Sequence, residues 1–115
     1  MEFRKTYHRV NPELLYDEVK DFALNQGLDL GEHKLETYTV AGDTSSFVYR
    51  GNLTFKPRGR ADMECFRVHI VGSANGETRV IASVDEEFFP AEKVDALKKD
   101  LDYIFSSYEV THPES

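Results

Sequence analysis

The sequence predicts an α+β fold: a two-layer sandwich of one five-stranded antiparallel sheet with two helices on one face. Three observations carry this. From Leu35 to Phe88 apolar residues recur with period two, helical stripes flank that region on both sides, and turn residues punctuate it. The 115 residues suit one domain. Eight Phe and six Tyr supply large pieces for its core. The domain is expected over residues 1–110, with 111–115 as a disordered tail.

Phe3 to Val10 reads as a first strand. Asn11-Pro12-Glu13 opens a helix, with Asn as N-cap, Pro at the first helical position and an acid in the first turn. Leu15, Val19, Phe22 and Ala23 share one face, Leu14 lies at its edge, and Gly27 is a natural stop, giving a helix over about residues 12–26. Four strands follow, over about 35–41, 46–56, 63–72 and 78–87. Gly42-Asp43-Thr44 turns the first pair, and Lys56-Pro57-Arg58-Gly59-Arg60 makes a basic loop. Asn75-Gly76 is a strong hairpin signal. A last helix, about 90–108, places Val94, Leu97, Leu101, Ile104, Phe105 and Tyr108 on one stripe.

Register decides which residues share a face. A two-residue turn at Asn75-Gly76 would set Phe66 opposite Asp85 and Val68 opposite Ser83. A three-residue loop, Ala74-Asn75-Gly76, with Gly76 as a left-handed bulge, sets Phe66 against Val84, Val68 against Ala82 and Ile70 against Val80. A one-residue slip exchanges the two faces of a strand, so this apolar agreement selects the three-residue loop. On the neighbouring hairpins, pairing Leu53 with Phe66 puts Asn52 beside Arg67 and Arg50 beside His69. Turning at Gly42-Asp43 puts Tyr38 and Val40 on the face of Phe47 and Tyr49. The covered face then also takes Leu53, Phe55, Phe66, Val68, Ile70, Val80, Ala82, Val84 and Phe88, joined by Phe3 and Tyr7.

This order of strand, helix, four-stranded meander and helix resembles the TATA-binding-protein-like repeats and the START-type helix-grip folds over nearly the whole chain. By that resemblance the first strand lies beside the fifth, giving order 1-5-4-3-2. No motif of either family is matched, so no functional residue is carried across, and the extra strands and length of helix-grip lipid binders are missing.

Net charge is −7, unevenly spread: Ser46 to Arg79 holds six basic residues against three acids, while the remainder holds eight against eighteen. No apolar stretch is long enough for a membrane span, and Met1-Glu2-Phe3-Arg4-Lys5 lacks a secretory leader. Cys65 stands alone, which excludes an internal disulfide and a cysteine-built zinc site and places the protein by default in the cytoplasm. His8, His33, His69 and His112 are scattered, so no metal site is expected. A nearby Arg67 favours the Cys65 thiolate, yet the pattern places no histidine beside it and a structural thiol is the simpler reading. Asp85-Glu86-Glu87 and Asp100-x-Asp102 read as solvated charge, and the Gly72 to Gly76 loop joins two strands where a phosphate loop leads into a helix. No catalytic residue and no cofactor are assigned.

The uncovered face remains. It is expected to show Thr37, Thr39, Val48, Arg50, Asn52, Thr54, Lys56, Cys65, Arg67, His69, Val71, Arg79, Ile81, Ser83 and Asp85. Guanidinium forks match carboxylate and phosphate geometry. Arg50, Arg67, His69, Asn52 and Arg79 are therefore the candidate ligand-binding residues of a non-catalytic module for an anionic partner, a nucleic acid or an acidic protein. No aromatic residue is expected on that face to stack a base. The competing readings are a pocket beneath the last helix for an apolar small molecule or lipid, and homodimerisation through the open face.

Overall fold

Asn11 and Gly27 bound the first helix as their residue types require. In the computed structural model, which describes residues 1–8, 10–40, 43–60, 62–73 and 76–105 (backbone alone at 39, 40, 43–47 and 73), helix α1 spans Pro12–Asn25. The Asn11 side chain accepts from the Glu13 N–H at 2.8 Å, satisfying a donor that has no partner within the helix. Gly27 takes φ +86°, and the Gly27 and Leu28 amides return to the carbonyls of Leu24 and Ala23, a Schellman closure that turns Leu28 into the core. The other elements are β1 (Glu2–His8), β2 (Asp29–Val40), β3 (Asp43–Lys56), β4 (Phe66–Ser73), β5 (Glu77–Val84) and α2 (Ala91–Phe105).

The five strands form one open antiparallel sheet in the order β1-β5-β4-β3-β2, the α+β arrangement expected. Phe3, Tyr7, Leu53, Phe55, Phe66, Val68, Ile70, Val80, Ala82 and Val84 point to one side and are all buried. Leu15, Tyr16, Val19 and Ala23 of α1 and Val94, Leu97, Leu101 and Phe105 of α2 join them in one cluster, so both helices cover that side. Each Val, Leu, Ile or Phe among them contributes about 1.5–3 kcal/mol by leaving water. Tyr16 belongs to this set because Gly51 lies beneath it: a Cβ on Gly51 would stand 2.8 Å from Tyr16 Cδ2. Ile104, expected on the α2 stripe, is 38% exposed, and Tyr108 lies outside the described residues, as do Ala74, Asn75 and the boundary expected at residue 110.

The β4–β5 register is the expected one: Phe66 opposes Val84, Val68 opposes Ala82, and Ile70 opposes Val80. Two other registers differ. β3 and β4 pair two residues away from expectation, with Leu53 opposite Val68 and Phe55 opposite Phe66. A two-residue shift leaves every side chain on its own face, so alternation alone is blind to it. The observed register stacks Phe55 on Phe66 with ring centroids 5.5 Å apart and lets the Cys65 amide reach the Phe55 carbonyl at 2.9 Å.

The β2 strand departs further. It begins at Asp29, where Asp29 and Leu30 oppose Lys56 and Phe55, and then a bulge sets Gly31 and Glu32 together opposite Thr54. That extra residue moves the next pairs by one: Leu35 opposes Gly51 on the covered side, and Glu36 and Tyr38 oppose Arg50 and Val48 on the open side. Tyr38, expected inside, is 45% exposed, and Thr37, expected outside, opposes Tyr49. Thr54 Oγ1 donates to the Glu32 carbonyl at 2.8 Å and would lie 2.7 Å from any Cβ on Gly31, so a glycine there permits the close approach. Beyond the sheet, Phe89 is fully buried on Phe66 at 5.0 Å, whereas Phe88 is only partly covered.

Candidate functional site on the open sheet face

Strand pairing arranges the open face in rows. One row crosses all five strands as Thr6, Arg79, Val71, Arg50 and Glu36. The next runs Arg4, Ile81, His69, Asn52 and Lys34, and a third runs Glu2, Ser83, Arg67 and Thr54. All five candidate residues lie on this face, but not as the neighbours expected from sequence. Asn52 opposes His69 and not Arg67, and their side chains meet, with His69 Nδ1 2.7 Å from Asn52 Oδ1. Arg50 opposes Val71 and not His69. Arg67 opposes Thr54 and Ser83.

The charges separate the candidates. Arg67 is already engaged: its guanidinium lies 2.6 Å from Glu64 Oε2. Arg50 and Arg79 are exposed, and among the described residues neither makes an ion pair. Both oppose Val71, so their Cα atoms stand two strand spacings apart, roughly 10 Å. His69 lies two residues along β4 from Val71, on the diagonal of both arginines, a separation of roughly 7–8 Å. The nearest acids on this face are Glu36 opposite Arg50, and Glu77, two residues from Arg79 along β5. Glu36 is held by the Tyr38 hydroxyl and the Lys34 ammonium, which lower its carboxyl pKa from the ordinary value. Tyr38 is the aromatic residue that sequence reasoning left off this face. Its hydroxyl pKa is raised, first by the Glu36 hydrogen bond.

Clefts open here among the described residues. One of about 670 Å³ lies over the β2 bulge between Glu32, Lys34, Asn52, Thr54, Glu64 and Arg67. A second of about 480 Å³ runs past Glu64, Arg67, Ser83 and Asp85, and a third of about 440 Å³ is lined by Tyr38, Val48 and Arg50. The first two mix acids with cations. The third holds a guanidinium beside an aromatic ring and an aliphatic side chain.

Cys65, expected on the open face, is buried at the end of the core, and its thiol pKa is raised by desolvation and by the charge of Asp85. That is the opposite of the thiolate-favouring shift a nucleophile needs. Among the described residues, no three His, Cys, Asp or Glu side chains are placed to hold a metal, and no helix is long and apolar enough to cross a membrane. The chain matches no protein-family model, no curated protein and no solved structure.

Proposed function

We propose that this protein is a small non-catalytic binding module whose open sheet face receives an anionic group between Arg50 and Arg79, beside His69. The observation that carries the reading is the pair of guanidiniums on either side of Val71, neither with an ion partner among the described residues. Two like charges on a half-dry sheet repel, and an anion seated between them relieves the repulsion while accepting hydrogen bonds from both. The candidate set is thereby reordered. Arg50, Arg79 and His69 form the receiving patch, Asn52 orients the His69 ring, and Arg67 is occupied by Glu64.

The partner favoured is an acidic protein segment. Half-buried Val71 and Ile81 lie between and beside the arginines, offering aliphatic contact, while the one described aromatic on this face, Tyr38, is a single ring on the edge strand beside Arg50 and away from Arg79. A nucleic acid would need stacking platforms along its path and would meet a chain of net charge −7. An apolar ligand beneath α2 has less support, because Leu97, Leu101 and Phe105 are packed into the core there. The element order still resembles the TATA-binding-protein-like and helix-grip arrangements, a likeness of layout that carries no residue role.

Amide and side-chain NMR tests the reading. Phosphate and a glutamate-rich peptide should shift Arg50, His69 and Arg79 signals, more at low salt than at high. Arg50→Ala with Arg79→Ala should remove the response and change stability by no more than about 0.5 kcal/mol, as exposed substitutions do. An oligonucleotide that shifts these signals more strongly than the peptide would replace the partner assignment. Signals indifferent to all three would refute the anion reading.

A further inference from the structure

The sheet has two edges, and they are unlike. β1 has seven residues, and its Lys5 side chain reaches across to Asp102 of α2 at 2.8 Å. β2 has twelve residues, pairs with β3 on one side, and among the described residues has no strand on the other. Long exposed edges pair with other strands unless something prevents it. Between its two irregularities β2 runs regularly from His33 to Thr39. Lys34, Thr37 and Tyr38 are exposed along that stretch, the Lys34 side chain at 68%.

The sequence of this edge is self-complementary. Two identical antiparallel strands are related by a two-fold axis normal to the sheet, and paired residues must share a face, so the axis passes through one residue. An axis at Lys34 sets Lys34 against itself and Glu36 against Glu32. An axis at Glu36 sets Glu36 against itself. An axis at His33 runs the pairing through the Gly31 bulge. An axis at Leu35 sets Lys34 opposite Glu36 twice over, Leu35 against Leu35, and His33 against Thr37, five consecutive pairs inside the regular stretch. Opposite charges directly across a strand pair are favourable, and like charges are not.

We propose that the β2 edge docks a second copy of this chain, antiparallel and centred on Leu35, to make a continuous ten-stranded sheet. The two Lys34 and two Glu36 side chains then alternate in sign around the axis on the open face. The existing Lys34–Glu36 contact at 3.2 Å becomes one side of a four-charge ring. Leu35, which packs against the core's edge, gains its counterpart from the other copy. The second copy's Lys34 also comes beside Glu36, the acid that shares a row with Arg50. This pairing stands whether or not the face beyond it binds an anion.

Sedimentation of the whole chain with charge variants tests it. The wild type should form a dimer that weakens with salt, and the amides of residues 33–37 should gain exchange protection as concentration rises. Lys34→Glu makes all four ring positions acidic and Glu36→Lys makes all four basic, so each variant alone should dissociate at least about tenfold more readily. Mixed together, the two should recover a heterodimer, a rescue that loss of folding cannot imitate. A wild type that stays at 13.2 kDa at about 1 mM, where even weak pairs are populated, overturns the proposal. So does a dimer that ignores both variants, or protection of residues 33–37 in a monomer, which would mean another part of the chain covers the edge.

Discussion

The two faces of the one sheet obey different rules. On the covered face, identity is interchangeable: any side chain of apolar character and suitable size leaves water, and the ten apolar strand residues of the core, from Phe3 to Val84, do so to within 8%, with Leu35 and Tyr49 toward the β2 edge only partly covered. On the open face nothing is gained by burial, and what matters is which side chain stands opposite which. Arg67 is neutral in effect because Glu64 reaches it at 2.6 Å, while Arg50 and Arg79, of the same residue type and on the same face, lack an ion partner among the described residues. Cohesion therefore tolerates a two-residue change of register that would rebuild the site completely.

The largest break of this contrast is on the covered side. Leu101 is fully buried, and Leu101→Ala should cost about 2–5 kcal/mol in denaturant unfolding, a large part of the stability of a domain this size. Ile104, three residues on and 38% exposed, should lose markedly less on the same truncation. Equal costs would mean that α2 is rotated about its axis. A smaller effect is expected at Gly51, whose added Cβ would meet the Tyr16 ring at 2.8 Å and Leu35 at 3.2 Å. Gly51→Ala should destabilise by about 1–3 kcal/mol through overpacking, read as a lower melting temperature. No loss would place Tyr16 elsewhere and undo the assignment of Leu35 to the covered side.

The subtlest prediction concerns the helix layer, where Glu18 of α1 and Asp100 of α2 meet. Their hydrogen bond, together with burial and the charges of Asp100 and Asp21, pushes the Glu18 carboxyl up to about 7. A carboxyl whose pKa is raised on folding holds its proton more tightly in the native state. Its stabilising contribution is complete below the ordinary value of 4.5 and is lost as pH climbs toward about 7. Melting temperature should therefore fall between pH 5 and pH 7 in the wild type, and fall less in Glu18→Gln. Parallel pH profiles for the two proteins would remove Glu18 as the cause.

Much of the fold was legible because its signals are local. Asn11, Pro12 and Gly27 bound α1 through caps that involve residues a few positions apart, and Val94, Leu97, Leu101 and Phe105 declare a helix face by spacing alone. The β4–β5 register was legible for a related reason. Its alternatives differ by one residue, which would have exchanged Val84 for Asp85 opposite Phe66.

The remainder depended on contacts between distant residues. A two-residue choice between β3 and β4 preserves every face, and the stacking of Phe55 on Phe66 and of Phe66 on Phe89 goes with the register adopted, through rings that sequence cannot position. The bulge at Gly31 and Glu32 carries no pattern of its own; the close approach of Thr54 to Gly31 accompanies it, and it turns Tyr38 out and Leu35 in. By itself the sequence determined the element order, the caps, and most of the residues that leave water, because hydrophobicity and chain periodicity act on each residue separately. Tertiary structure alone decided which cations stand without an acid, because a charge takes its meaning from its neighbours, and those are set by strand pairing.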